Sequence, residues 1–512
     1  MSRFYIDEIK YVSTRDTEKK ELIDSAEAIR RGLAPDGGLY MPVMLPHFGI
    51  SELSMLSKLS YPERAAFVLR RYLTDYDEDE LISMAEAAYS ADKFDGVVDK
   101  KGVANPTPLR RLSSRDTVME LWHGPTSAFK DMALQLMPRL LSAALEKTGV
   151  KGDACILVAT SGDTGKAALE GYKDVARTRI MVFYPAEGVS VVQKLQMVTQ
   201  AGENVCVAGV DGNFDDAQTG VKRIFRDEKV GEALREKGLF FSSANSINWG
   251  RLAPQIVYYF SAYCDMASEN IIKLGDEIDI TVPTGNFGNI FAAYIAAASG
   301  LPVGKLICAS NTNKVLTDFI NDGVYDRRRE FFTTISPSMD ILISSNLERL
   351  LYMLSGPAET TEYMKALSEE GVYKISSKLH KAVLSRFAGY FADEDACRAA
   401  IKETYERKHY LCDPHTAVAL ACAEQYRKEN PDEKRKMLIV STASPYKFAG
   451  SVLEAITGQA AKDELSAAAE LSALTGTKPP KQLVGLENRE VRFPGVISPD
   501  EMAEEVIKFA EQ

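Results

Sequence analysis

Leu121-Trp-His-Gly-Pro-Thr-Ser-Ala-Phe-Lys130-Asp131 is the stretch whose reading decides the fold. Just ahead of it and overlapping its start, Thr117-Val-Met-Glu-Leu-Trp122 predicts a short buried strand, and His-Gly-Pro-Thr-Ser predicts a turn. From about Ala128 the apolar spacing becomes helical, with Ala133, Leu136, Met137, Leu140, Leu141, Ala144 and Leu145 on one face. Lys130 shares the spacing of that packed face and sits in the first turn, where the helix dipole disfavours a cation. Both effects push a lysine toward its neutral amine, the form that condenses with an aldehyde. The alternative is a lysine whose stem packs while its ammonium reaches water. The stretch alone leaves both open.

The strand, loop, helix order recurs downstream. Ala154-Cys-Ile-Leu-Val-Ala159, Arg179-Ile-Met-Val-Phe-Tyr184, Val205-Cys-Val-Ala208, Phe240-Phe241-Ser242, Ile278-Asp-Ile-Thr-Val-Pro283, Leu306-Ile-Cys-Ala-Ser310 and Met437-Leu-Ile-Val440 read as buried strands, most with a helical segment behind. Such alternation predicts parallel sheets sandwiched by helices. Residues 1–100 read as a mostly helical unit, with helices over Glu21 to Arg31, Tyr61 to Arg71 and Glu78 to Tyr89; Gly102 to Pro108 marks the first boundary. Thr14 and Arg15 read as a polar surface pair, with a binding rim as the alternative. Residues 356–410 read as helical and charged, covering one side. The end carries an Ala-rich helix (Asp463 to Leu474), a Lys-Pro-Pro-Lys linker and a last helix starting near Pro499, capped by Ser498 or Asp500.

Composition narrows the function. The 512 residues are 45% hydrophobic and 26% charged, enough for two or three cores. A net charge of −11 without a basic run argues against nucleic-acid binding. Seven scattered cysteines fit a reducing compartment, and five histidines without a ligand array argue against a metal site. No run approaches the ~18 apolar residues of a membrane span, and the first residues resemble no targeting segment. The expectation is a cytoplasmic protein.

Four loops follow strand C-terminal ends, where open parallel sheets bind ligands. Thr284-Gly-Asn-Phe-Gly-Asn289 reads as a backbone phosphate cradle or an ordinary Gly-Asn turn. Thr160-Ser-Gly-Asp-Thr-Gly-Lys166 fails the nucleotide-loop pattern twice, at Thr160 and at Ala167, and suits a small carboxylate or a simple helix cap at Ser161 or Asp163. Ser441-Thr-Ala-Ser-Pro-Tyr-Lys-Phe448 offers hydroxyls to a buried heteroatom or to the next helix. Asn245-Ser-Ile-Asn-Trp-Gly-Arg251 suits a second anion, or is a helix start with a surface arginine. A phosphate cradle without a nucleotide motif, joined to an aldehyde-competent lysine, suggests pyridoxal phosphate.

Together with Ser13-Thr-Arg15 and Gly32-Leu-Ala-Pro-Asp-Gly-Gly-Leu-Tyr40, these motifs resemble, in order, those of the threonine synthase family, over nearly the whole chain. The resemblance implies an α/β, tryptophan-synthase-β-like fold (fold type II): two parallel-sheet α/β domains plus the helical N-terminal domain. The expected division is 1–100, a large domain of 101–122 with 215–475, a small domain of 123–214, and a tail of 476–512. It implies Lys130 as the Schiff-base lysine and catalytic base. Gly285, Asn286, Phe287, Gly288 and Asn289 would hold the cofactor phosphate, and Thr442 would hydrogen-bond the pyridine nitrogen. Ser161, Asp163 and Thr164 would face the substrate carboxylate and the cofactor ring, and Asn245, Ser246, Asn248 and Arg251 the substrate phosphate. The implied reaction converts O-phospho-L-homoserine and water to L-threonine and phosphate. The alternatives are a phospho-lyase or dehydratase releasing 2-oxobutyrate, or a non-catalytic ligand-binding relative. A monomer or homodimer is expected, without membrane or nucleic-acid partner. Tyr446 departs from the small residue expected in the family, and His415 reads as part of a helix start, with a place lining the site as the alternative.

Overall fold

The structure, a computed structural model, describes residues 8–18, 20–94, 98, 102–160, 162–187 and 189–512. The larger sheet runs Phe387–Phe391, Val303–Ser310, Ile278–Pro283, Lys436–Ser441, Asp116–Glu120, Leu109–Arg111 across its width. All neighbours pair in parallel except the edge strand Leu109–Arg111, which is antiparallel. Ile278–Pro283 is apolar at four of its six positions and buried throughout, as a central parallel strand must be. The second sheet is parallel throughout, in the order Val496–Ile497, Val205–Val210, Thr178–Pro185, Asp153–Ala159, Leu239–Ser242.

This order positions the loops. Ile278–Pro283, Lys436–Ser441 and Asp116–Glu120 are neighbours, so the cradle, the Thr442 loop and the Lys130 turn leave the same edge of one sheet. Asp153–Ala159 and Leu239–Ser242 are neighbours too, which brings the 160–166 and 245–251 loops to one edge of the other.

Several expectations change. The helix at Lys130 is not continuous: Lys130–Leu134 and Met137–Lys147 are separate, because Pro138 has no amide to donate to the Leu134 carbonyl and its ring crowds that carbonyl. The small sheet does not end at 214, since it takes Leu239–Ser242 and, from the tail, Val496–Ile497. Both strands are short and pair with segments distant in sequence, which local periodicity cannot signal. Within 356–410, Phe387–Phe391 extends the larger sheet's edge and Val372–Lys374 pairs antiparallel with Val324–Asp326. The last helix is Met502–Glu511, with Ser498 accepting no cap bond; its amide instead donates to Glu501 at 2.7 Å.

The N-terminal unit has helices at Ser25–Arg31, Tyr61–Leu69 and Glu78–Ala88 and an antiparallel pair, Tyr11–Ser13 with Tyr40–Pro42. It shares an apolar core with the long helix Trp249–Ser268, where Tyr11 meets Trp249 edge-on at 5.4 Å. Thr14 and Arg15 are not a surface pair. Thr14 is fully buried and donates to Glu348 at 2.6 Å, while Arg15 grips both Glu348 oxygens at 2.8 Å. Among the described residues no helix is long and apolar enough to cross a membrane.

Candidate active site

Lys130 opens its helix with a side chain only 12% exposed. Its Nζ donates to Ser338 Oγ at 3.3 Å and lies 3.9 Å from Asp163 Oδ2. Burial, reinforced by Arg251 and Lys447 and opposed by Asp163 and Asp131, pulls its pKa down to about 8. Its basicity is lowered, and the side chain is buried rather than reaching out to water. The segment before it is zipped to the neighbouring loop: Phe129 N–H donates to the Thr442 carbonyl at 2.8 Å, and Ser444 N–H to the Ser127 carbonyl at 3.0 Å. This fixes Thr442 beside the lysine's turn.

The cradle departs from the strand Ile278–Pro283 and enters the helix Gly288–Ala298. Phe287 is left-handed (φ 61°), with its ring buried and 5.7 Å from that of Phe387, which leaves its backbone at the helix mouth. The opening amides of a helix have no intrahelical acceptor. The cradle is held from behind by Ser344 Oγ, which donates to the Gly285 carbonyl at 2.8 Å, and by Asn346, whose amide and side chain both donate to the Asn286 carbonyl at 3.1 Å. Asn289 takes Tyr258 and Tyr259 hydroxyls on its Oδ1 at 2.5 and 2.6 Å. Its buried Nδ2 has no partner among the described residues.

In the second loop Ser161 lies outside the described residues. Thr160, which the motif pattern does not single out, organises the turn: its hydroxyl accepts the amides of Gly162 and Gly165 at 3.0 Å. Thr164 is partly exposed in the first turn of the helix Asp163–Tyr172. Asp163 faces cations instead: Lys447 Nζ at 2.5 Å, with Gln193 Nε2 donating at 3.0 Å. Burial would raise its pKa, but Lys447 and then Lys130 hold it well below the ordinary carboxylate range. Lys166 is buried and donates to Glu170 at 3.1 Å and to Gln200, far from the use a nucleotide loop would make of it.

In the 245–251 loop Asn245 is exposed and Ser246 Oγ accepts from Asn346 at 3.4 Å. Asn248 is engaged elsewhere. Its Oδ1 caps the long helix at Gly250 N and its Nδ2 donates to the Ile29 carbonyl, both at 2.8 Å. Arg251 is 6% exposed, and its guanidinium donates to the Ala244 carbonyl at 2.8 Å. No carboxylate among the described residues pairs with it, and burial lowers it to about 10. The surface-arginine reading therefore fails. Nearby, the wholly buried Arg349 ties Tyr40 and Ile247 carbonyls to Asn346, so one side chain braces the N-terminal unit, this loop and the cradle.

Three further residues gain a defined place at the site only from the structure. Ser338, in the short 3-10 turn Pro337–Met339, meets Lys130 from a segment without recognisable pattern. His415 Nε2 accepts the Ser338 amide at 3.1 Å, so its Nδ1 carries the proton and donates to Asp413 at 2.6 Å. His415 thus stands at the helix start and lines the site through Ser338. Lys447 stands in the 441–448 motif, which by itself assigns it no role. Tyr446, by contrast, points away, its hydroxyl bonding the Thr477 carbonyl at 2.9 Å.

The donor set fits a phosphorylated aldehyde cofactor. A buried amine of lowered basicity stands against a glycine loop whose Gly285 has no room for a side chain, since a Cβ there would lie 2.7 Å from the Ser338 carbonyl. Ser127 Oγ, in the strained turn before Lys130 (φ 58°), and Tyr172 OH near Arg251 are buried without partners among the described residues.

Comparison with known proteins agrees. Residues 10–89 match the family model "Threonine synthase N terminus", 101–442 "Pyridoxal-phosphate dependent enzyme" and 416–507 "Threonine synthase, C-terminal". The chain is 40% identical over 469 residues to threonine synthase-like 1 of Homo sapiens, covering 88% of this chain and 61% of that protein's length. It is 37% identical over 456 residues to threonine synthase of Pseudomonas aeruginosa, covering 88% and 91%. Among solved structures, yeast threonine synthase superposes with a TM-score of 0.87 at 31% identity, covering 99% of both chains. The pyridoxal-phosphate-bound threonine synthase from Brucella melitensis gives 0.85 at 34%, covering 98% and 100%.

Proposed function

Since the chain belongs to the threonine synthase family of pyridoxal-phosphate-dependent enzymes, we propose that it converts O-phospho-L-homoserine and water to L-threonine and phosphate. The observation that carries this reading is a buried, weakly basic Lys130 within the electrostatic reach of a buried Arg251 that no carboxylate among the described residues neutralises. The first suits carbon acid chemistry and the second awaits an anion.

The family's cofactor is pyridoxal phosphate. Lys130 would bind its aldehyde, Gly285, Asn286, Phe287, Gly288 and Asn289 its phosphate, and Thr442 its ring nitrogen. Bound there, it supplies an electron sink for charge developing on the substrate's carbons. Ser161, and Thr164 in the first turn of its helix, would orient the substrate carboxylate. Arg251, with Asn245 and Ser246, would bear the phosphate, and Asn248 would position that loop. Lys130 Nζ, freed by the substrate's amine, takes the α-proton and then moves a proton at the β-carbon. Arg251 stabilises the phosphate as it leaves the γ-carbon, and water adds at the β-carbon. We place the reaction in the cytoplasm, a reading supported by seven free cysteines.

Product analysis after supplying cofactor and O-phospho-L-homoserine tests this. Threonine and phosphate in equal amounts are expected. Phosphate with 2-oxobutyrate would make the protein a phospho-lyase, and no phosphate release would remove the substrate from the proposal. The cradle has its own test. Gly285→Ala drives a methyl group against the Ser338 carbonyl, and overpacking of this kind costs about 1–3 kcal/mol. Cofactor affinity should fall about tenfold or more in a fluorescence titration; an unchanged affinity would free Gly285 of that role.

A further inference from the structure

Lys447 has no part in the chemistry described so far, yet its side chain is wholly buried beside Lys130. It rides on the turn Pro445–Phe448 beyond the Thr442 loop of the larger sheet. Its Nζ lies 2.5 Å from Asp163 Oδ1 and donates to the Thr126 carbonyl, in the turn before Lys130, at 2.9 Å. Asp163 belongs to the other sheet's loop, so this ion pair spans the two. Asp163 also poses a contradiction, for it is an acid at a helix start expected to receive a substrate carboxylate. Its two oxygens resolve it by division. Oδ1 is taken by Lys447 and Gln193, and only Oδ2 looks toward Lys130, at 3.9 Å.

We propose that Lys447 is a positioning residue that holds Asp163 off Lys130, keeping the Lys130 amine free to react and the Asp163 loop open to an anionic substrate. The proposal rests on Lys130 being the reactive amine. Two physical consequences support it. Without Lys447, the nearest cation to a buried Asp163 is Lys130, and an uncompensated buried carboxylate closes on whatever cation it can reach. The pair would then tighten from 3.9 Å, holding the proton on the nucleophile more firmly. Lys447 also acts directly, as a like charge that disfavours the ammonium form of Lys130. The groups that face Lys130 are Asp163 and Asp131, which favour its proton, and Arg251 and Lys447, which oppose it.

A purely structural ion pair would leave Lys130's titration where it is, and this separates the two roles. The full-length chain, freed of cofactor, is trace-labelled with acetic anhydride across a pH series, and acetylation of the Lys130 peptide is read by mass spectrometry. In the parent, half-maximal reactivity is expected near pH 8. Lys447→Met should move that midpoint upward by about one pH unit or more, and Lys447→Arg should hold it near the parent's. Asp163→Asn should move it downward, and adding Asp163→Asn to Lys447→Met should reverse the upward shift. A folded Lys447→Met protein with an unchanged midpoint overturns the proposal, as does Lys447→Arg shifting as far as Lys447→Met. Should Lys447→Met fail to fold, Asp163→Asn decides, and an unmoved midpoint there overturns it. No substrate enters this assay, so its outcome stands even where product analysis shows the substrate to be a different one.

Discussion

Lys130→Ala is expected to lower turnover of O-phospho-L-homoserine about 10³-fold or more while leaving the fold at least as stable. The first half follows from Lys130 being the amine at the meeting point of Ser338, Asp163 and the cradle. The second follows from its titration. Burial lowers Lys130 from an ordinary 10.5 to about 8, so the folded chain binds that proton less tightly than the unfolded chain. Stability therefore rises as pH climbs through 8. Below pH 8 the buried charge costs folding on the order of 3 kcal/mol, and alanine removes that cost. Denaturant unfolding at pH 7 and pH 10 checks the sign: the variant's gain should be large at pH 7 and shrink at pH 10. The absorption band of lysine-bound cofactor should vanish with turnover. Retained turnover would sink the assignment, and a large loss of stability at pH 7 would mean that the lysine stem is a packing element.

Lys130 is legible in the sequence because its conflict is local: a cation on the apolar spacing of a helix start. The cradle and the 245–251 loop are legible for a related reason, since a strand followed by glycines or amides and then a helix is a pattern of neighbours. What binds these elements together is not local. Ser338 meets Lys130 across 208 residues, and Thr14 meets Glu348 across 334. No periodicity links such pairs, so Thr14 and Arg15 read as surface and Ser338 gives no signal. Lys447 is hidden for a different reason. A lysine after Ser-Pro-Tyr near a helix start is an ordinary cap-region residue until Asp163, at the start of a helix behind the other sheet, is seen beside it. Phe387–Phe391 is lost among charged helices because its burial alternates, with Phe387 and Gly389 inside, while its residues, Phe-Ala-Gly-Tyr-Phe, do not alternate in polarity. The helix at Lys130 reads as longer than it is because apolar spacing continues through Pro138, and periodicity outweighs the residue that breaks it.

Arg251→Met should lower kcat/KM for the phosphorylated substrate about 10²- to 10³-fold and raise stability at neutral pH. Most substitutions of a buried residue lose both, so the divergence is the informative part. Arg251 is buried with its guanidinium on a backbone carbonyl, and the Tyr172 hydroxyl nearby has no partner among the described residues. Burial takes Arg251 from 12.5 down to about 10. The folded state thus holds this proton less tightly, and the charge is a cost to folding at every pH below about 10. A methionine of similar length fills the space without the charge, a replacement that often stabilises. A buried cation that costs the fold and has no carboxylate partner among the described residues is where we place the anion. Thermal unfolding of the cofactor-loaded protein at pH 7, with and without inorganic phosphate, makes the test concrete. The parent should gain stability from phosphate as a ligand of the folded state; the variant should start higher and gain nothing. A variant that still responds to phosphate, or keeps its kcat/KM, would move the anion site elsewhere. Arg251 also opposes the proton on Lys130, so its loss should raise the pH at which that lysine becomes reactive, binding the anion site and the amine into one electrostatic unit.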